Sequence, residues 1–260
     1  MAKDMPKIGA RRFGDLGSPD REHKRLVELQ QHFLPQSFPE IEGIEWAARY
    51  HPSKLVGGDY YDVFPMQNSC YGVVMADISG HGYSAAIVMS MTQFAVKEFA
   101  PACASPSEAL KIINDKLQKH MLPHHFVTMF FGMLNPEKKT LTYSSAGHIP
   151  MLHFQSSSNC ARSLDIQPSY PLCTFPVGEY PEARCQLDKG DGCLFFTDGV
   201  LDAPNVSDVF YGEHQLLQTL EAFSGSSAQH VVDAVYASVE EHRGNADRLD
   251  DFTLLSMRIQ

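Results

Sequence analysis

The order of the apolar runs constrains the fold of this chain more than any other feature. Residues 71–76, 126–134, 141–145, 151–154, 192–197 and 252–259 are short apolar or alternating segments bounded by turn-forming residues, and each reads as a strand. Residues 44–50 read as another. Asn135-Pro136-Glu137-Lys138 supplies the turn of a hairpin between the segments at 126–134 and 141–145. Two helical pairs interrupt the strands. The first covers 84–99 and then runs from Pro106-Ser107 through Leu110, Ile113 and Leu117 to Met121; the second covers 213–223 and 228–242. Strands in blocks separated by helix pairs give an α+β order rather than a regular βαβ alternation. The Ser- and Pro-rich stretch 155–181 reads as loop with at most one short strand.

Residues 1–20 are rich in Gly, Pro, Arg and Asp without a period and read as a flexible tail. From Arg21 the pattern changes. Leu26, Leu29 and Phe33 recur at helical spacing, Val27 and Leu34 widen the stripe, and Pro35 ends it. The expected division is a tail at 1–20, an amphipathic linker or regulatory helix at 21–38, and one domain at 39–260. A helix this short is marginal alone in water, so it must dock. It serves either as a lid on its own domain or as a regulatory face that joins two copies in a homodimer.

Charge and cysteine usage exclude several classes. Twenty-one Lys and Arg against 31 Asp and Glu leave a formal charge of -10, which repels phosphate backbones and disfavours a nucleic-acid partner. The six cysteines never fall at Cys-x-x-Cys spacing, so zinc-ribbon and thioredoxin readings fail. The opening Met1-Ala2-Lys3-Asp4-Met5-Pro6 lacks the apolar run of a signal peptide. The most apolar helical stretch, 85–96, is broken by Ser90, Thr92 and Gln93 and falls short of the roughly 20 residues that span a bilayer. A cytoplasmic protein with free thiols and no membrane partner is expected.

Aspartates at strand ends carry the chemistry. They are Asp59 in Val56-Gly57-Gly58-Asp59-Tyr60-Tyr61-Asp62, Asp77 in Ala76-Asp77-Ile78-Ser79-Gly80-His81-Gly82, Asp198 in Phe196-Thr197-Asp198-Gly199, and Asp250-Asp251 ahead of Phe252-Thr253. A carboxylate against a buried strand carries a large desolvation cost unless something compensates it. A hard divalent cation is the most economical partner, because Mg²⁺ and Mn²⁺ prefer carboxylate, carbonyl and water oxygens. Singly, each has a plainer reading as a turn, a bulge or a solvated strand entry. Four together point to a site.

With Leu34-Pro35, Phe126-Val127-Thr128-Met129 and Leu141-Thr142-Tyr143-Ser144-Ser145-Ala146-Gly147-His148, the ordered set resembles the metal-dependent protein phosphatase (PPM) family, in its bacterial SpoIIE/RsbU-like branch. The resemblance implies an αββα sandwich of two antiparallel sheets flanked by helices, with a centre of two Mn²⁺ or Mg²⁺ ions at one end. It implies that Asp59, Asp77, Asp198 and Asp250 are the catalytic metal ligands, that Ile78 lends its backbone carbonyl, and that Asp251 stands behind them. It further implies hydrolysis of phosphoserine or phosphothreonine by metal-activated water. The substrate would be a phosphorylated STAS-type anti-sigma-factor antagonist in bacterial partner switching, with the helix ahead of the domain transmitting control. Two cations sharing a carboxylate acidify a water and neutralise phosphoryl oxygens, so a covalent nucleophile is not needed. Neither a Gly-x-Ser-x-Gly elbow nor a Cys-x5-Arg loop occurs. Two alternatives stand beside this reading: a two-metal phosphodiesterase, disfavoured by the lack of a Lys/Arg cluster near the aspartates, and a pseudo-phosphatase binding module, disfavoured by the intact aspartate set.

His81 follows Asp77 by four residues, whereas family members with Asp-Gly-His-Gly place their histidine two residues on. It is therefore read as a packing residue between loop and helix rather than a general acid. His148 is read as a turn histidine satisfied by nearby hydrogen bonds. Met89, Met91, Met133, Phe126, Phe130 and Phe131 are read as core. Pro171-Leu172-Cys173 stands where family members often carry Pro-Leu-Gly, and the extra side chain is expected to reshape the rim of the substrate cleft.

Overall fold

A computed structural model describes residues 19–122, 124–223 and 225–260. The tail expected at 1–20 lies outside the described residues except for its last two. The chain opens with α1 (Pro19–Phe33), then β1 (Ile44–His51), β2 (Tyr60–Pro65) and β3 (Tyr71–Ile78). The first helical pair is α2 (Tyr83–Phe99) and α3 (Pro106–Gln118). Strands β4 (Val127–Asn135), β5 (Thr140–Ala146), β6 (Leu152–Gln155), β7 (Cys160–Ser163), β8 (Glu182–Gln186) and β9 (Gly192–Phe196) follow. The single turn α4 (Asp198–Leu201), the pair α5 (Gly212–Ala222) and α6 (Ala228–Arg243), and β10 (Phe252–Ile259) complete it.

Two five-stranded antiparallel sheets result, one ordered β1-β10-β9-β6-β7 and the other β2-β3-β4-β5-β8. Their inner faces share one core. Helices α2 and α3 cover the outer face of the second sheet, and α5 and α6 that of the first. Covering on both faces explains why β3 and β9 read as continuous apolar runs. Val73, Val74, Met75 and Ala76 are all fully buried. In β9, Cys193 and Phe195 join the core between the sheets, while Leu194 and Phe196 pack with Val232 and Val235 of α6. The start of α3 is fixed locally. Ser105 Oγ accepts from the Glu108 N–H at 3.3 Å, the Glu108 carboxylate accepts from the Ala104 N–H at 2.6 Å, and Pro106 occupies the first turn.

Three elements depart from expectation. The second strand, β2, runs through a motif whose Asp62 looks unsuited to a buried strand, but Lys97 Nζ of α2 reaches that carboxylate at 2.5 Å. The edge strand β8 exposes Glu182, Arg184 and Gln186 and buries only Cys185 well, so it carries no apolar run. Helix α1 presents a different face from the one expected, since Leu29 is 57% exposed. At roughly 100° per residue, Leu26, Val27, Gln30, Phe33 and Leu34 share one arc with Gln30 at its centre, and Leu29 falls outside it. Gln30 is buried accordingly.

Antiparallel pairing gathers the candidate aspartates. Asp59 directly precedes β2 and Asp77 is near the end of β3, and these strands are neighbours with Tyr60 opposite Ala76. Asp198 follows β9 and Asp250 precedes β10, again neighbours, with Leu254 opposite Phe196. All four come to the same end of the sandwich, two from each sheet.

Candidate metal centre

Asp59 is the most enclosed of the set. Its Oδ2 accepts hydrogen bonds from Thr197 Oγ1 at 2.7 Å and from Thr253 Oγ1, so a loop of one sheet is tied to two strand ends of the other. Burial drives its carboxyl well above the usual range, reinforced by Asp77 and Asp251, and the two threonines pull the other way. The Asp77 carboxyl is pushed up to about 7, first by burial and then by Asp198, Asp250 and Asp251. Asp198 and Asp250 are raised as well, each mainly by burial; Asp250 further raises Asp198, and His81 opposes the rise at Asp250.

Asp251 is used differently. Its Oδ1 accepts from the Ser53 N–H at 2.7 Å and its Oδ2 from the Gly58 N–H at 2.6 Å, which pins the Gly57-Gly58 loop against β10. This explains the glycines of the motif. A Cβ on Gly57 would collide with the Asp251 carboxylate, and one on Gly199 with the Asp251 carbonyl. A Cβ on Gly58 would stand 3.0 Å from the carbonyl oxygen of Ile78, so glycine there keeps that oxygen open.

The donor set suits a hard cation: four carboxyls and a backbone carbonyl, all oxygen. Among the described residues no lysine or arginine pairs with any of the five aspartates. A side-chain hydrogen bond between Asp77 and Asp59 pulls the Asp77 carboxyl back down, against the rise from burial and the other aspartates.

Sequence reasoning missed Gln30. Its Nε2 donates to the Gly57 carbonyl at 2.6 Å and its Oε1 accepts from the Gly57 N–H at 3.0 Å. Helix α1 thus grips the peptide two residues before Asp59. The available signal was a glutamine in the middle of the buried arc. His81 does not pack between loop and helix; it is exposed, and its charge offsets part of the rise at Asp250. His148 is held by hydrogen bonds, as expected. Met89, Phe130 and Phe131 are core, while Met91 and Met133 are only partly buried and Phe126 is exposed beside Ser79. Cys173 has φ 68°, a left-handed conformation that glycine adopts freely and a residue with a Cβ adopts at a cost. Asn114 holds this loop by accepting from the Cys173 N–H at 2.7 Å.

Two sheets face to face, helices outside, and carboxylates gathered from paired strand ends define a phosphatase of the PP2C type. The PP2C domain of SiaA from Pseudomonas aeruginosa superposes with a TM-score of 0.80 at 18% identity, covering 93% of this chain and 97% of that one. The RsbU and RsbW domains of Rv1364c from Mycobacterium tuberculosis superpose at 0.74 and 24% identity, covering 88% and 63%. At such identities the likeness speaks for the fold. Sequence carries it further. The phosphoserine phosphatase RsbU of Bacillus subtilis is 30% identical over 232 residues, which is 89% of this chain and 68% of RsbU. The profile of the Stage II sporulation protein E (SpoIIE) family matches residues 67–260. The chain belongs to the SpoIIE family and is a serine/threonine phosphatase.

Proposed function

We propose that the chain hydrolyses phosphoserine or phosphothreonine in a protein with the help of two Mn²⁺ or Mg²⁺ ions, held by Asp59, Asp77, Asp198, Asp250 and the Ile78 carbonyl. The observation that most supports this is the gathering of four buried carboxyls, all raised, with no lysine or arginine paired to them among the described residues. Such ions, when bound, supply positive charge for the phosphoryl oxygens and acidify a water. The chain supplies the placement. Thr197 and Thr253 orient Asp59, Asp251 fixes the Gly57-Gly58 loop, and Gly58 leaves the Ile78 oxygen accessible.

The substrate we favour is a phosphorylated STAS-type anti-sigma-factor antagonist in bacterial partner switching. Support comes from the relative named a phosphoserine phosphatase and from the neighbour in which RsbU and RsbW domains share a chain. A cytoplasmic setting agrees with the free cysteines. No described helix is long and apolar enough to cross a membrane.

Helix α1, with the domain beginning near residue 39, is the regulatory element in this reading. Gln30 supports a link from α1 to the Gly57 loop. Exposed Ile87 and Phe94, which line a groove of about 710 Å³ with Phe33, Met91 and Phe99, and the exposed Leu29 of α1 support a self-association face. The deciding experiment incubates the full chain with phosphorylated candidate antagonists, with and without Mn²⁺. Phosphate release that needs Mn²⁺ and stops with EDTA supports the reading, and full turnover in excess EDTA overturns it. Nicking of plasmid DNA without phosphoprotein turnover would favour the phosphodiesterase alternative.

A further inference from the structure

His148 connects the two sheets immediately behind the carboxylates. Its Nε2 lies 3.1 Å from the carbonyl oxygen of Phe196, the last residue of β9. Its Nδ1 lies 2.8 Å from Oγ1 of Thr128 in β4. A carbonyl can only accept, so Nε2 carries the proton. The ring is buried and stays neutral, which leaves Nδ1 as a lone pair. The Thr128 hydroxyl therefore donates to Nδ1. That hydroxyl has a single proton, and its 3.4 Å approach to the Asp77 carbonyl is at best a weaker second arm.

The two partners are not arbitrary. Thr128 is the residue opposite Asp77 across the β3–β4 ladder. Phe196 leads through Thr197, a partner of Asp59, into Asp198. One imidazole thus spans the gap between β4, at the residue paired with Asp77 of β3, and β9, the strand that delivers Asp198. The turn that presents it is also fixed. Ser145 Oγ accepts from the His148 N–H and donates to the His148 carbonyl, both at 3.1 Å. Gly147 has φ 65°, with Pro171 filling the space a Cβ would take.

We propose that His148 is a positioning residue of the metal centre, and that its Nε2–H tautomer sets the spacing between the Asp77 and Asp198 loops through Thr128 and Phe196. The proposal rests on the metal-phosphatase reading. Contacts of this outer kind change metal affinity by about 10- to 100-fold when removed.

The test is calorimetric titration of Mn²⁺ into the metal-free full chain, without substrate, alongside thermal melting. His148→Phe is expected to weaken Mn²⁺ binding by about tenfold while still melting cooperatively. His148→Gln should recover most of the affinity, because its amide oxygen can accept from Thr128 while its N–H donates to Phe196. Thr128→Val should weaken binding in the same direction, and His148→Phe combined with Thr128→Val should be no weaker than His148→Phe alone. Unchanged Mn²⁺ affinity in folded His148→Phe overturns the positioning role, as does full additivity of the two losses. Should His148→Phe fail to fold, Thr128→Val, which keeps a β-branched residue in the strand, decides by its own affinity. A wild-type chain that binds no Mn²⁺ overturns the metal reading and this role together; wild-type binding matched by every folded variant overturns this role alone.

Discussion

Asp59 and Asp62 lie three residues apart in one motif, each 1% exposed, and meet opposite surroundings. Asp62 faces Lys97 Nζ at 2.5 Å and the Tyr60 hydroxyl at 2.8 Å. Asp59 receives two threonine hydroxyls, pairs with no lysine or arginine among the described residues, and has Asp77 and Asp251 as neighbours. Asp191 follows the pattern of Asp62: its carboxylate takes the Ser156 and Asp188 N–H groups and a contact from His153. Elsewhere in the sandwich, then, a buried carboxylate is compensated by the protein itself. At the end formed by β2–β3 and β9–β10, Asp59 and Asp77 instead have like carboxylates as neighbours that raise them further, and that difference supports the proposed cation site.

Substituting one carboxylate at each place separates the two kinds. Asp198→Asn or Asp77→Asn should lower turnover by at least about 10³-fold. The metal-free melting temperature should hold or rise, because repulsion among like charges falls. A turnover rate within tenfold of wild type would erase the distinction. Lys97→Met should do the reverse. It strands Asp62 and costs about 2 kcal/mol, less than a fully buried pair because Lys97 is partly exposed, while Mn²⁺ affinity stays at the wild-type value. Denaturant unfolding and calorimetry together check this, and loss of metal binding in the folded variant would contradict it.

Acidity sharpens the contrast further. Asp77 is raised from its ordinary value to about 7, so its protonated form is favoured in the folded chain. Its contribution to metal-free stability is fully present below the unfolded value of about 4 and is lost as pH rises through about 7. Saturating Mn²⁺ should reverse that slope, since protons then compete with the cation. Melting curves with and without Mn²⁺, compared with Asp77→Asn, test the sign. The mildest contrast lies in α1, where Gln30 is tied to Gly57 and its neighbour Leu29 is bare. Leu29→Asp should shift stability by no more than about 0.5 kcal/mol. It should still alter oligomeric state, Mn²⁺ response or basal rate; light scattering, metal titration and kinetics all matching wild type would remove the regulatory role.

Asp77, Asp198 and Asp250 were legible because each adjoins an apolar run that pattern alone locates, and antiparallel pairing then gathers them; Asp59 precedes β2, which gave no such run, and stood out by its Gly57-Gly58 turn. The partners that compensate or orient them were not. Lys97 reaches Asp62 from 35 residues away. Thr197 and Thr253 meet Asp59 only once the two sheets close. Gln30 reads as one more solvated polar side chain until docking fixes the helix phase, and the same phase exposes Leu29. The short edge strand β8 escaped notice because its outward residues are polar and its neighbour β5 decides its pairing. Local sequence carries burial period and turn chemistry; it does not carry which distant hydroxyl or amide will answer a buried charge.

Strand β10 comes last in the domain yet lies second in its sheet, between β1 and β9, with Ile259 opposite Ile44. Asp250 and Asp251 arrive only as that strand inserts. On the ribosome, where the amino-terminal part emerges first, a nascent chain exposed only as far as α6 has Asp59, Asp77 and Asp198 but neither the fourth carboxylate nor the pin that holds the Gly57-Gly58 loop. Its first sheet is still split between β1 and β9. Closure of this end of the sandwich thus waits on β10: the strand that joins β1 to β9 is also the one that brings the pin for the Gly57-Gly58 loop.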